Sequence, residues 1–259
     1  MNELEFNKLV AKEKAGLASP EELASLEPYR IKKAIFFAAG FGSRLVPITL
    51  EIPKPLVKVN GVRIIDTLMD TILTLGIEDI TVIRGYQKEK MDVLLEKYPM
   101  IKFIDNDIYN EANNISSALL AKDMFQGALV LESDLVLYNQ DSLEKYAYKT
   151  HYLGVKMDHS DDWCFKVNED LLIESVHIGG DDVYQMVGIS YWNEQDGKQL
   201  SLDVEAFYNQ EGGPARYWDE VSLIDYKDNY NVYVKPLHAD DIIEIDTYEE
   251  LQAIDPSYQ

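Results

Sequence analysis

The sequence predicts an α/β domain built on a mostly parallel, mixed sheet flanked by helices, with a small helical extension at its N-terminus. Three observations carry this. Strand-like apolar runs alternate with helical patterns from residue 33 to about 150, an order that implies parallel pairing. A chain of 259 residues, 46% of them hydrophobic, can bury the core of one large or two modest domains. Residues 1–30 read as a separate helical pair, so the main domain spans 31–259.

In the extension, Ser19 before Pro20-Glu21-Glu22 is a helix start: a capping Ser, Pro at the first helical position and Glu at the third. Phe6, Leu9 and Val10, then Leu23 and Leu26, give each helix one apolar side. Six Glu against three Lys and one Arg argue against a DNA-reading helix pair, which leaves a packing extension. The main domain opens with the apolar run Ala34 to Ala39, short and aromatic enough for a buried strand. Ile64, Ile65, Leu68, Met69, Ile72, Leu73 and Leu75 recur at helical spacing and stop at Gly76. A strand over Asp79 to Arg84, a helix over Gln87 to Tyr98, a strand over Ile101 to Ile104, a helix from near Asn114 and a strand over Ala128 to Leu131 follow. Beyond residue 150 the texture changes. Four short strands are expected (Tyr152 to Val155, Cys164 to Val167, Leu172 to His177, Val183 to Trp192), separated by acidic turns. Helical stretches near 195–209 and 217–226, a strand over Tyr230 to Val234 and the segment Asp241 to Asp246 complete the chain.

The break after the first strand is the most informative stretch. Gly40-Phe41-Gly42 lets the backbone turn tightly and point N–H groups outward, which makes a nest for an anion. Arg44 adds a cationic fork suited to phosphate oxygens, and Lys54, between Pro53 and Pro55, adds a second cation on a stiff segment. A Rossmann fingerprint would need a glycine where Leu45 stands, and a P-loop would need Gly-Lys-Ser/Thr. What remains is a polyphosphate cradle. In parallel sheets ligands collect at the carboxyl ends of strands, where the cradle, the Gly85-Tyr86 turn and Glu132-Ser133-Asp134 all fall.

A formal charge of −22 argues against nucleic-acid binding. It also repels a triphosphate, so local cations and a divalent metal must overcome the field. Asp134 follows one short apolar run and Asp246 another, and two such carboxylates from distant parts of the chain could clamp Mg²⁺. A single Cys, Cys164, excludes an internal disulfide framework. No stretch reaches membrane-spanning length and no signal peptide is visible, so a soluble cytoplasmic protein is expected. Asn113-Asn114-Ile115-Ser116-Ser117 can cap a helix or read a base edge, with capping the default. All three Trp lie in the second half, and Trp163 and Tyr217-Trp218 adjoin Asp161, Asp162, Asp219 and Glu220. Aromatic faces beside acids suit a quaternary ammonium; on composition alone they read as half-buried core.

Taken together, A-A-G-F-G-S-R-L, Pro53-Lys54-Pro55, Gly85-Tyr86, Asn113-Asn114, Glu132-Ser133-Asp134, Asp162-Trp163, Gly188 to Trp192, Tyr217-Trp218-Asp219 and Glu244 to Asp246 resemble the bacterial CTP:phosphocholine cytidylyltransferases. These are a branch of the sugar-phosphate nucleotidylyltransferase-like family, and the likeness covers roughly residues 32–255, with P-K-P where many relatives have P-K-A. The resemblance implies a Rossmann-like sheet in a GT-A-like nucleotidyltransferase fold, with 31–150 as the nucleotide-binding half and 151–259 as the acceptor-binding half. It implies a nucleotide site of Ala39, Gly40, Phe41, Gly42, Ser43, Arg44, Lys54, Gly85, Tyr86, Asn114, Ser116 and Glu132. The acceptor site would hold Asp162, Trp163, Tyr191, Tyr217, Trp218, Asp219 and Glu244, with Trp163, Tyr217 and Trp218 caging the choline. Arg44, Lys54, Asp134 and Asp246 would be catalytic, the two Asp holding Mg²⁺. CTP and phosphocholine would be the substrates, with a choline kinase in the same pathway. A sugar 1-phosphate, an aminoalkyl phosphonate or phosphate, or a non-catalytic nucleotide sensor are the alternatives.

Overall fold

The computed structural model describes residues 1–259. Its N-terminus is a helical pair, α1 (Glu3–Lys14) and α2 (Pro20–Leu26), each started by a capping box in which Asn2 or Ser19 exchanges hydrogen bonds with Glu5 or Glu22. The pair packs on the main domain rather than standing free. Phe6, Tyr29 and Tyr148 meet with ring centroids 5.2 to 5.5 Å apart, and Lys145 and Lys149 reach Glu13 and Glu3.

The main domain begins with β1 (Lys33–Ala38). A turn, the short α3 (Ile48–Glu51) and the ribbon of β2 (Lys58–Val59) and β3 (Val62–Arg63) lead into α4 (Ile64–Thr74), which buries Ile64, Ile65, Leu68, Met69 and Ile72. Next come β4 (Asp79–Arg84), α5 (Leu94–Lys97), β5 (Lys102–Asp105), α6 (Ile115–Leu120), β6 (Ala128–Glu132) and β7 (Leu135–Leu137). The second half holds β8 (His151–Val167), β9 (Ile173–Trp192), α7 (Glu194–Tyr208), β10 (Tyr233–Leu237), β11 (Ile242–Glu244) and α8 (Tyr248–Ile254).

Seven strands form one sheet in the order β10-β8-β9-β6-β1-β4-β5. β1 runs parallel to β4 and β6, β4 to β5, and β10 to β8, whereas β9 is antiparallel to both β6 and β8. The sheet is therefore mixed and mostly parallel, as expected. Successive residues of β1 feed opposite cores: Ala34, Phe36 and Ala38 on the face covered by α4, Ile35 and Phe37 on the face covered by α6 and α7. Burial on both faces explains the continuous apolar run.

Three expectations need correction. The four short strands after residue 150 are one long hairpin, with register shifts between Tyr152 and Gly154 and between Ser160 and Trp163. The hairpin runs through the exposed acids of 158–162 and 181–182, of which Asp181 pairs with His159 while Asp161 and Asp162 fall in a register shift, so their polarity hides the strand. The helix expected over Gln87 to Tyr98 is a tighter 3-10 turn over Lys88–Val93 before α5. There Arg84 Nη1 donates to the Lys88 carbonyl at 3.1 Å, occupying an acceptor that the α-helical ladder would use. The helical stretch expected near 217–226 is helical over 219–225, but Val221–Asp225 is wound as a π-helix.

Candidate active site

The carboxyl ends of β1 and β6 lie side by side, and the segments that leave them bring Arg44, Lys54 and Asp134 to the rim of a cavity of about 790 Å³. Gly42 takes a left-handed φ of 66°, and a Cβ there would come within 3.1 Å of the Lys54 side chain, so the turn needs glycine on both counts. Thr49 Oγ1 donates to the Gly42 carbonyl at 2.9 Å and pins the loop. Phe41 packs on Tyr86 with centroids 4.6 Å apart, and the Tyr86 N–H donates to the Ala39 carbonyl at 2.9 Å. The cradle and the Gly85-Tyr86 turn are thus one surface.

Lys54 lies across the mouth. Its Nζ is 2.9 Å from both Asp134 Oδ2 and Asp246 Oδ1, while Arg44 Nη2 is 2.9 Å from Asp246 Oδ2. Burial works against the Lys54 charge, but Asp134 and Asp246 more than offset it, and its pKa is raised. The two Asp are brought together by β7 and β11, which pair antiparallel, and by the Ile245 N–H donating to the Asp134 carbonyl at 3.1 Å. The same ribbon carries Glu244. Oxygens of Asp134, Glu244 and Asp246 lie within 4.8 Å of one another. Asp134 Oδ1 is buried without a hydrogen-bond partner. A hard-oxygen set with one orphaned carboxylate oxygen fits a divalent cation such as Mg²⁺. Burial, then the like charges of Asp134 and Asp246, push the Glu244 pKa well up.

The far wall comes from the hairpin and from the segment after α7. Trp163 and Tyr217 meet edge to face with centroids 5.9 Å apart, and both line the cavity with Asp162, Asp219 and Glu132. Asp219 is buried on its floor and accepts from Tyr152 Oη at 2.9 Å; burial pushes its pKa up to about 7. Glu132 sits opposite Gly188, where a Cβ would come within 3.0 Å of the Glu132 side chain. Burial first, then Asp134, Asp219 and Glu244, raise the Glu132 pKa well above the carboxylate range.

Two expected acceptor residues point elsewhere. Trp218 is 2% exposed, with its ring among Phe37, Phe125, Tyr152 and Trp192; the neighbouring Tyr217 faces the cavity, so the open cage of three rings reduces to two. Tyr191 is buried opposite Leu129, three residues along β9 from Gly188, and lines no part of the cavity. Ser116 Oγ is spent on the Asn113 carbonyl at 2.8 Å and on Asn106, but the residue lines a smaller cleft of about 170 Å³ with Ala39, Gly40 and Tyr109.

Sequence reasoning missed Met157, His159, Gln185 and Met186, which line the cavity from the hairpin, and Glu250, which lines it from α8. Reading β8 and β9 as one hairpin would have brought the first four beside the site, though alternation alone would not, since Gln185 and Met186 are adjacent; Glu250 carries the ordinary signal of a capping box with Thr247.

The model of the nucleotidyl transferase family matches residues 33–156. The chain is 36% identical over 228 residues to the 2-aminoethylphosphonate cytidylyltransferase of Lancefieldella rimae, covering 87% of this chain and 92% of the relative. It is 28% identical over 223 residues to the choline-phosphate cytidylyltransferase of Streptococcus pneumoniae, covering 86% and 96%. Among solved structures, the CTP:phosphocholine cytidylyltransferase of Streptococcus pneumoniae superposes with a TM-score of 0.81 at 28% identity, over 89% of this chain and 100% of that one. The inositol-1-phosphate CTP transferase of T. maritima shares the fold at 17% identity with a TM-score of 0.67, over 87% and 96%.

The chain belongs to the nucleotidyl transferase family. Within it, the chain groups with the cytidylyltransferases, the relatives it matches over nearly their whole length. The acceptor differs between those relatives, and no helix here is long and apolar enough to cross a membrane.

Proposed function

We propose that this protein transfers CMP from CTP to the phosphonate or phosphate oxygen of a small aminoalkyl acceptor, and that it prefers a primary ammonium, as in 2-aminoethylphosphonate. The observation that carries the choice is the make-up of the acceptor wall. Trp218 is turned into the core, and Glu132, Asp162 and Asp219 line the cavity around only two aromatic faces. A primary ammonium has three N–H donors, and carboxylates accept them with charge assistance. A trimethylammonium has none and must rely on aromatic faces. The greater identity to the aminoethylphosphonate enzyme supports the same choice. Phosphocholine remains the second reading, favoured by the Trp163–Tyr217 pair.

The triphosphate would lie on Gly40 to Ser43, with the base toward the smaller cleft beside Ala39 and Tyr109. An acceptor oxygen then attacks the α-phosphorus of CTP; the new P–O bond forms as the bond to the β-phosphate oxygen breaks, and pyrophosphate leaves. The nucleophile is already anionic near neutral pH, so no general base is needed. Arg44 and Lys54 stabilise the charge that moves onto pyrophosphate, and the walls align the reactants. Asp134, Glu244 and Asp246 would hold Mg²⁺, which when bound neutralises phosphate charge as a Lewis acid.

The test is pyrophosphate release by the purified protein with CTP and Mg²⁺ against 2-aminoethylphosphonate, phosphoethanolamine, phosphocholine and glucose 1-phosphate. The expected result is a kcat/KM for 2-aminoethylphosphonate about tenfold or more above that for phosphocholine, the worth of one charge-assisted hydrogen bond. The reverse ranking would install phosphocholine, and turnover of glucose 1-phosphate alone would remove both amines.

A further inference from the structure

Only two residues line both the main cavity and the smaller cleft: Asn114 and Glu132. They are hydrogen-bonded, with Asn114 Nδ2 donating to Glu132 Oε1 at 3.2 Å. The other end of the same amide is also used, because Asn114 Oδ1 accepts the Trp218 backbone N–H at 3.0 Å across 104 residues of chain. Its neighbour reinforces the connection. The Asn113 N–H donates to the Pro214 carbonyl at 2.7 Å, Asn113 Nδ2 reaches the Ala215 carbonyl at 3.4 Å, and Asn113 Oδ1 accepts the Asn114 N–H at 2.7 Å. The segment that carries Tyr217 and Asp219 therefore hangs from the start of α6, in the other half of the molecule. Across the cavity Glu132 has little freedom, since its side chain lies against the bare Cα of Gly188.

We propose that Asn114 is a positioning residue for the acceptor: one amide fixes both the Glu132 carboxylate and the Tyr217–Asp219 segment, and so sets the spacing of the two walls that grip the amine. This rests on the reading given under Proposed function. Of the two donors and two acceptor sites of the amide, one of each is engaged by these protein groups, which makes Asn114 a bridge between them. The two partners also dictate the chemistry. Trp218 presents a donor and Glu132 an acceptor, so position 114 must offer one acceptor and one donor on a short side chain. Aspartate has only acceptors when ionised and loses the donor that reaches Glu132; serine is too short to span both.

The pairing is invertible, which gives a test that a merely structural residue would fail. Asn114→Asp should raise the acceptor KM about tenfold or more, with kcat and the KM for CTP within about twofold of wild type. Adding Glu132→Gln should reverse the damage. The carboxylate introduced at position 114 would then accept from both the Trp218 backbone N–H and the amide introduced at position 132. The acceptor KM of the double variant should return to within about threefold of that of Glu132→Gln alone. Asn114→Ser, which removes the bond to Glu132 without adding charge, serves the same purpose if Asn114→Asp does not fold. Steady-state kinetics with 2-aminoethylphosphonate and with phosphocholine, beside thermal unfolding of each variant, give every readout. An unchanged acceptor KM, a parallel rise in the KM for CTP, or a double variant no better than Asn114→Asp overturns the proposal. Wild-type protein that uses neither acceptor overturns the functional reading and this inference with it. Wild-type protein that turns over either acceptor, with variants that behave like it, overturns the inference alone.

Discussion

Lys54 is the residue on which the site balances, because it is the single buried cation between two acids. Its removal should lower kcat about a hundredfold, the effect of losing one preorganised contact worth about 3 kcal/mol, with a smaller effect on KM. Rapid-quench measurement of Lys54→Ala checks this; an unchanged kcat would reduce Lys54 to a binding group. The tryptophans separate by the same logic. Trp163→Ala should lower kcat/KM for phosphocholine by roughly thirtyfold, about 2 kcal/mol of lost cation–π contact, lower that for 2-aminoethylphosphonate by less, and leave the melting temperature nearly unchanged. Trp218→Ala should instead destabilise the fold by about 3–5 kcal/mol, because its ring fills the core. Calorimetry of the pair distinguishes them. Sequence alone could not, since both Trp adjoin acids; only the alternation of Tyr217 outward and Trp218 inward settles which ring meets solvent. Asp219 gives the pH dependence. Burial holds it protonated up to about pH 7, so its negative charge, and its pull on an ammonium, appear only as the pH rises through that value. Acceptor kcat/KM should climb between about pH 6 and 8, and Asp219→Asn should flatten that climb. The sign for stability is opposite. A raised folded pKa adds stability at low pH that is lost as the pH rises from the ordinary carboxylate range through about 7.

Among the elements, those buried on both faces are legible in the sequence and those that leave the core are not. β4 falls where its six-residue run places it, and α4 stops at Gly76 as its periodicity indicates. The hairpin of β8 and β9 reads as fragments because beyond residue 156 it projects polar side chains, whose strand geometry comes from pairing and not from an apolar face. The candidate site follows the same division. Arg44, Lys54, Asp134 and Asp246 sit on the best-patterned half or just after an apolar run, and they meet; the hairpin's contribution stays hidden. The N-terminal helices belong to this scale too. Phe6→Ala would remove the ring that ties α1 to Tyr29 and Tyr148, and should lower the melting temperature while leaving both KM values unchanged. Altered kinetics in that variant would give the extension a part in the site.

At the scale of the whole molecule, the net charge of −22 acts chiefly on CTP. It repels the triphosphate, and the rim of the cavity offers only Arg44 and Lys54 against its many acids, whereas the acceptor joins an ammonium to an anionic phosphonate and carries little net charge for the field to act on. Added salt screens the repulsion. Raising ionic strength should therefore lower the KM for CTP and change that for the acceptor much less, which steady-state assays in graded potassium chloride would reveal. A KM for CTP that rises with salt would mean that the local cations, not the global field, govern entry.

The ribbon of β7 and β11 has a consequence for the order of events during synthesis. Asp134 leaves the ribosome well before Asp246, and the two acids become neighbours only when Ile242–Glu244 pairs back onto Leu135–Leu137. Until then the trio of acids cannot form, and the phosphate loop lacks the Ile245 and Leu251 side chains among which its Leu45 and Val57 are buried. The acid trio and the core beneath the nucleotide cradle are thus completed together, when β11 and α8 take their places.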